Sequence, residues 1–291
     1  MRPEIVTTIA SALGLAGLAL LWRYGLSAKA RSEAAAARKR ADTVLHWDIS
    51  ASGFFLFLFC VIVGGVLGQA LALLCLRLGG ISPTGISTGG EAAHASDMAM
   101  LFLGGAFQGG MLGGVCFFRR LLHKREKPAA AAVAAGVSPA GVLRKGIGCE
   151  LIALPVVGAT ALLWQGLLHL LHIDYQAQDL VDLFAEADSP LLLGSMTFLA
   201  VVLAPLTEEL IFRAGLFRYL RTRAPRWVAL ALPALLFAAL HANLASFAPL
   251  AVLGLIFALA YERSGTLAVP ILAHALFNLN TILMILGGVG M

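Results

Sequence analysis

Residues 199–217 read LAVVLAPLTEELIFRAGLF, an apolar run that holds Glu208, Glu209 and, four residues on, Arg213. Without those three it would be an ordinary membrane-spanning segment. With them it carries charge where charge is costly, about 2.5–3.5 kcal/mol per group on insertion scales. Glu209 and Arg213 stand at i,i+4, so an α-helix puts them on one face as a self-neutralising pair. Glu208 lies about 100° around the helix, with no cation at that spacing. Pro205, three residues earlier, removes a backbone hydrogen bond and is expected to kink or start the helix there.

The rest of the chain supports a bilayer as its solvent. Of 291 residues, 59% are hydrophobic and 13% charged, and the mean hydropathy is +0.88. Soluble domains carry about 25% charged residues. Apolar segments of spanning length fall at about 5–22, 50–78, 98–118, 148–172, 191–217, 227–243, 247–262 and 266–287. The fold expected is an all-α, polytopic membrane protein with about eight transmembrane helices. The first segment precedes its basic cluster, so an uncleaved anchor is expected and not a signal peptide.

The loops alternate in charge. Residues 23–48 hold Arg23, Lys29, Arg31, Arg38, Lys39 and Arg40, and residues 119–147 hold Arg119, Arg120, Lys124, Arg125, Lys127, Arg144 and Lys145. Residues 79–97 and 173–190 hold no Lys or Arg, and the next loop holds Arg218, Arg221, Arg223 and Arg226. This is the positive-inside pattern of eight spans with both ends outside. It accounts for the net charge of +5 through topology, so nucleic acid is not an expected partner and the lipid bilayer is.

Three regions follow: an N-terminal membrane region at 1–127, an Ala/Pro-rich and basic cytoplasmic linker at 128–147, and a C-terminal membrane region at 148–291. Residues 174–188 combine acids with Leu180, Leu183 and Phe184, the pattern of a short interfacial helix on the outer face. Gly64, Gly65 and Gly68 in the second segment, and the pairs Gly104-Gly105, Gly109-Gly110 and Gly113-Gly114 in the third, are expected to allow close helix packing. Gln69, Gln108 and Gln165 are expected as interhelical hydrogen bonders, and His169 and His172 as interfacial. Cys60, Cys75, Cys116 and Cys149 lack a CxxC spacing and form neither a disulfide framework nor a zinc site by pattern.

Two more pairs complete the polar set. Phe237 and His241, and His274 and Asn278, each stand at i,i+4. Depths of about 10–21 Å, at 1.5 Å per residue, let Glu208, His241 and His274 share one layer. A carboxylate beside an imidazole is a general-base pair for water. A second imidazole and an amide supply donors for an oxyanion.

Glu208-Glu209-Leu210-Ile211-Phe212-Arg213 resembles the EExxxR motif of the CPBP intramembrane proteases, the group of type II CAAX prenyl proteases and bacterial Abi proteins. Phe237-Ala238-Ala239-Leu240-His241 matches their FxxxH, and His274-Ala275-Leu276-Phe277-Asn278 their HxxxN. The resemblance covers about 190–287, the expected protease core; residues 1–189 carry no such signal. It implies an intramembrane endopeptidase in which Glu208 and His241 activate water, His274 and Asn278 stabilise the oxyanion, and Glu209 with Arg213 shapes the site. It implies a membrane-associated protein or peptide as substrate, and a bacterial plasma membrane as location. That mechanism requires no cofactor, although one carboxylate and two histidines also make a possible zinc ligand set. Two other classes are a non-enzymatic immunity or scaffold protein and a proton-coupled transporter. Against the transporter, the two halves show no internal repeat. Neither a mid-helix aspartate pair nor a serine–histidine dyad is present, Ser264 lying in a short charged link.

Overall fold

The computed structural model describes residues 3–81, 90–122, 137–175, 184 and 189–288. Among them every regular element is helical. The helices are α1 (Pro3–Leu21), α2 (Ala28–Val44), α3 (Ala51–Leu78), α4 (Gly90–Leu122), α5 (Pro139–Leu170), α6 (Pro190–Arg221), α7 (Arg226–Ala239), α8 (Phe247–Ser264) and α9 (Ala268–Leu286). Residues 128–136 of the linker and most of the expected interfacial helix at 174–188 lie outside the described residues.

Seven of these helices are long and apolar enough to cross a membrane, and α7 is shorter. With α7, the eight expected apolar segments are all present as helices. The expected span at 227–243 stops at Ala239 after 14 residues, about 21 Å of helix against a hydrocarbon core of about 30 Å. The amides of His241 and Ala242 reach back three residues, to Ala238 and Ala239. Ala242 takes φ 49°, and the left-handed backbone there ends the helix. Arg226 opens α7 and Arg263 stands near the end of α8, so the alternation of loop charge is kept across this hairpin. The fourth span also starts earlier than expected: Ser138 accepts a bond from the Gly141 amide and caps a helix that begins at Pro139, so Arg144 and Lys145 are helical.

The chain forms two compact units. One comprises Met1–Asp48, Pro128–Glu186 and Phe212–Met291, the other Ile49–Lys127 and Ala187–Ile211. Within the second unit, α3 and α4 meet backbone to backbone. A Cβ on Gly64 would strike the Gly110 carbonyl, one on Gly68 the Ala106 carbonyl, and one on Gly114 the Cys60 carbonyl. Lipid gives no hydrophobic drive to helix pairing, so close van der Waals contact between small residues must provide it. Gly104, Gly109 and Gly113, on other faces of α4, have nothing within 4 Å of an added Cβ.

In the first unit α5 lies among α1, α8 and α9. Gly17 of α1 approaches the Leu151 carbonyl, and Gly146 of α5 receives the Leu272 side chain. Ala153, Val157, Leu253, Phe257 and Ala273 form one buried cluster. A second cluster joins Ala41 and Leu45 to Phe217, Ala229, Leu230, Ala258 and Tyr261. That cluster docks α2, a polar helix whose buried Ala30 and Ala41 and half-buried Ala34 and Ala37 fall on one face.

The arginines read as topology signals also hold α2 and the segment after it. Arg218 donates to the carbonyls of Leu45 and His46, Arg223 to that of Trp47, and Arg221 to that of Arg38. Arg221 also bonds Asp42 and Glu262, each at 2.7 Å, and Arg226 reaches the other Glu262 oxygen at 2.7 Å. Glu262 is 2% exposed. A buried carboxylate is tolerated when its lone pairs are met in this way.

Candidate active site

Pro205 shapes the backbone before the glutamates. Its ring cannot donate a hydrogen bond and crowds the preceding turn. The helix accommodates it with a wide π turn at Leu199–Leu203, followed by α geometry over Ala204–Glu209. A second π stretch follows at Leu210–Phe217. Wide turns of this kind are rare and often mark functional segments. Arg213 lies inside the stretch, so the α-helical i,i+4 angle assumed for Glu209 and Arg213 does not apply there.

Glu208 and Glu209 belong to the second unit. Glu209 and Thr207 are fully buried. Glu208 Oε1 accepts a bond of 3.4 Å from Nε2 of Gln108 on α4. Gln108 was expected as helix glue, and it is glue of a particular kind, since it donates to a motif carboxylate. The signal that pointed to it was an amide in the middle of an apolar, glycine-rich helix.

Arg213, Phe237, His241, His274 and Asn278 belong to the first unit. The structure gathers Arg213, His241 and His274 around the ring of Phe237. Arg213 is 1% exposed, and its guanidinium carbon sits 4.9 Å from the Phe237 centroid, 5.3 Å from Phe257 and 6.0 Å from Phe212. Such an aromatic cage stabilises a desolvated cation through the ring quadrupoles. Its Nη2 also donates to the Gly254 carbonyl at 3.2 Å. His274 stacks on Phe257 at 5.0 Å and meets Phe237 edge-on at 5.9 Å. Sequence reading did not single out Phe257 or Phe212. Phe257 carries no motif spacing, and only packing puts α8 against α9.

His241 stands two residues beyond the end of α7, in the turn that leads to α8. Its ring lies 4.8 Å from Phe237, and Nδ1 is 2.7 Å from the Phe237 carbonyl oxygen. A carbonyl can only accept, so Nδ1 carries the proton. In the neutral ring Nε2 is then the acceptor. The turn is secured by other groups that sequence did not flag. Trp164 Nε1 donates to the Leu244 carbonyl at 2.7 Å, and Asn243 Oδ1 accepts from the Ser246 amide at 2.9 Å. Irregular backbone at membrane depth needs such partners. Asn278 lies one turn after His274 on α9 and is half-buried.

Among the described residues no group of three or more His, Cys, Asp and Glu side chains is placed to hold a metal ion.

The fold and the polar cluster define a polytopic, all-helical membrane protein with a buried Arg–Phe–His arrangement in its C-terminal third. Residues 190–280 match the family described as type II CAAX prenyl endopeptidase Rce1-like. The chain is also 38% identical over 98 residues to an uncharacterized 24.3 kDa protein of Escherichia coli, an alignment covering 32% of this chain and 44% of that protein. The chain thus spans less than half the length of that relative. No solved structure matches.

Proposed function

We propose that this chain is an intramembrane endopeptidase that hydrolyses a peptide bond of a membrane-associated protein or peptide. In this reading Glu208 and His241 share a water molecule. As the water oxygen attacks the peptide carbonyl carbon, its proton passes to the Glu208 carboxylate. Nε2 of His241 accepts the other hydrogen bond of that water and orients it. His274 and Asn278 donate to the oxyanion that forms. Collapse of the tetrahedral species breaks the carbon–nitrogen bond, and the proton held by Glu208 goes to the departing amine. Glu209 and Arg213 shape the site and do not react. The sequence is complete without a bound metal.

The observation that carries the reading is the Nδ1 contact of His241, at 2.7 Å from the Phe237 carbonyl, because it leaves Nε2 as a base. The Rce1-like match over 190–280 supports it. A bacterial plasma membrane is the proposed site of action, and the Escherichia coli relative supports it.

The test is comparative membrane proteomics of cells carrying the wild type, Glu208→Ala or His241→Ala. A membrane polypeptide is expected to accumulate uncut in both variants. A verified substrate cleaved by the variants as fast as by wild type would sink the proposal.

A further inference from the structure

The corner between α1 and α2 holds a cleft that the candidate active site does not use. Trp22–Leu26 is a single π turn that ends α1, closed by the Ser27 amide donating to the Trp22 carbonyl at 2.9 Å. Ser27 alone leaves helical geometry, at φ −65° and ψ 157°, and its hydroxyl then caps α2 by accepting from the Ala30 amide at 3.1 Å. An apolar span and a polar helix therefore meet through one residue. The corner forms an open cleft of about 500 Å³, lined by Trp22, Arg23, Tyr24, Ser27, Lys29 and Glu33.

The lining is amphipathic in a definite order. Leu15, Leu18 and Trp22 recur at helical spacing and are all exposed, Trp22 at 67%. This apolar stripe of α1 leads straight into the cleft. Tyr24 is exposed beside Trp22, with the Arg23 guanidinium 5.4 Å from its ring centroid. Aromatic rings of this kind favour the headgroup level of a bilayer. Lys29 faces the cleft from α2, its ammonium 4.0 Å from the one acid present, Glu33. The docked face of α2 is alanine, so its other cations point outward: Arg31, Arg38, Lys39 and Arg40 are exposed. Arg31 donates to the Leu26 carbonyl at 2.7 Å, which braces the corner.

We propose that this cleft binds the headgroup of an anionic phospholipid in the leaflet that faces the basic loops. The lipid phosphate sits between Arg23 and Lys29, the glycerol lies beside Trp22 and Tyr24, and the acyl chains run along Leu18 and Leu15. The unbroken apolar stripe favours a lipid over a soluble anion, because a soluble anion has no use for it.

The test reads Trp22 directly. The full chain is reconstituted in vesicles containing brominated phosphatidylglycerol or brominated phosphatidylcholine at equal mole fraction. Trp22 emission is taken as wild type minus Trp22→Phe. Near-surface cations enrich anionic lipid roughly fivefold per engaged charge, so the brominated phosphatidylglycerol is expected to quench Trp22 severalfold more strongly. The Arg23→Gln/Lys29→Gln variant keeps Trp22 and is expected to lose that preference while its quenching by brominated phosphatidylcholine stays as in wild type. Excess glycerophosphate is expected to leave the preference intact. Equal quenching by the two lipids, a preference that survives in the double variant, or competition by glycerophosphate would each overturn the proposal.

Discussion

Arg213 and His274 lie against the same two phenyl rings, those of Phe237 and Phe257. The guanidinium carbon is 4.9 and 5.3 Å from the two centroids, and the imidazole is 5.9 and 5.0 Å from them. Each ring therefore orients two polar groups from different helices. The phenylalanine of the FxxxH motif connects the arginine of the first motif to the histidine of the third. Its carbonyl orients its own histidine as well.

Phe237 is 1% exposed, so Phe237→Ala is expected to destabilise the protein by about 3–5 kcal/mol. Phe237→Leu refills most of the volume but removes the ring that faces Arg213. It is expected to fold and to lose activity. Thermal unfolding in detergent, set beside cleavage of a verified substrate, separates the two effects. An active leucine variant would show that the ring is only filler.

The tautomer of His241 can be read directly. With ¹⁵N-labelled histidine, NMR at neutral pH is expected to show a protonated Nδ1 and an unprotonated Nε2 for this residue. His241→Ala identifies the signals. The opposite tautomer would remove the acceptor that the proposed water activation requires.

Glu262 accepts from both Arg221 and Arg226. Removing one partner from a buried ionic set leaves uncompensated charge, at about 3–5 kcal/mol. Glu262→Gln is expected to lower the unfolding midpoint markedly, and Asp42→Asn much less, because Asp42 is 62% exposed. Similar midpoints for both variants would contradict this ranking.

The glycines of α4 differ by face. Gly110→Leu drives a side chain into the Gly64 carbonyl and is expected to split α3 from α4. Gly109→Ala and Gly113→Ala meet nothing within 4 Å and are expected to be silent. Cysteine cross-linking between α3 and α4 in membranes reports the separation. A Gly110→Leu protein that cross-links like wild type would show that this packing is dispensable.

Trp164→Phe removes the donor to the Leu244 carbonyl, a bond of 2.7 Å. A lost hydrogen bond of this kind costs about 0.5–1.5 kcal/mol. The global unfolding midpoint is expected to move little, while amide hydrogen exchange across residues 240–246 speeds up. Unchanged exchange there would mean that the turn does not depend on the indole.

Much of this protein is determined along the chain. Hydropathy and loop charge are sums over neighbouring residues, so they locate the apolar helices and mark the basic faces without any knowledge of packing. The three motifs are visible for the same reason, since each lies within six consecutive residues. Tertiary structure alone decided the rest. The end of α7 at Ala239 depends on a turn whose carbonyl is held by Trp164, 80 residues away in sequence. The π turns beside Pro205 answer a steric demand that composition does not encode. Gln108 becomes a partner of Glu208 only when α4 packs near it. Phe257 reaches Arg213 and His274 only after three helices converge, and Glu262 finds its arginines in the same way. A charge costly enough to mark a site can be recognised from sequence, but the groups that make it tolerable come from other helices. Contact between distant segments is set by packing and not by local pattern.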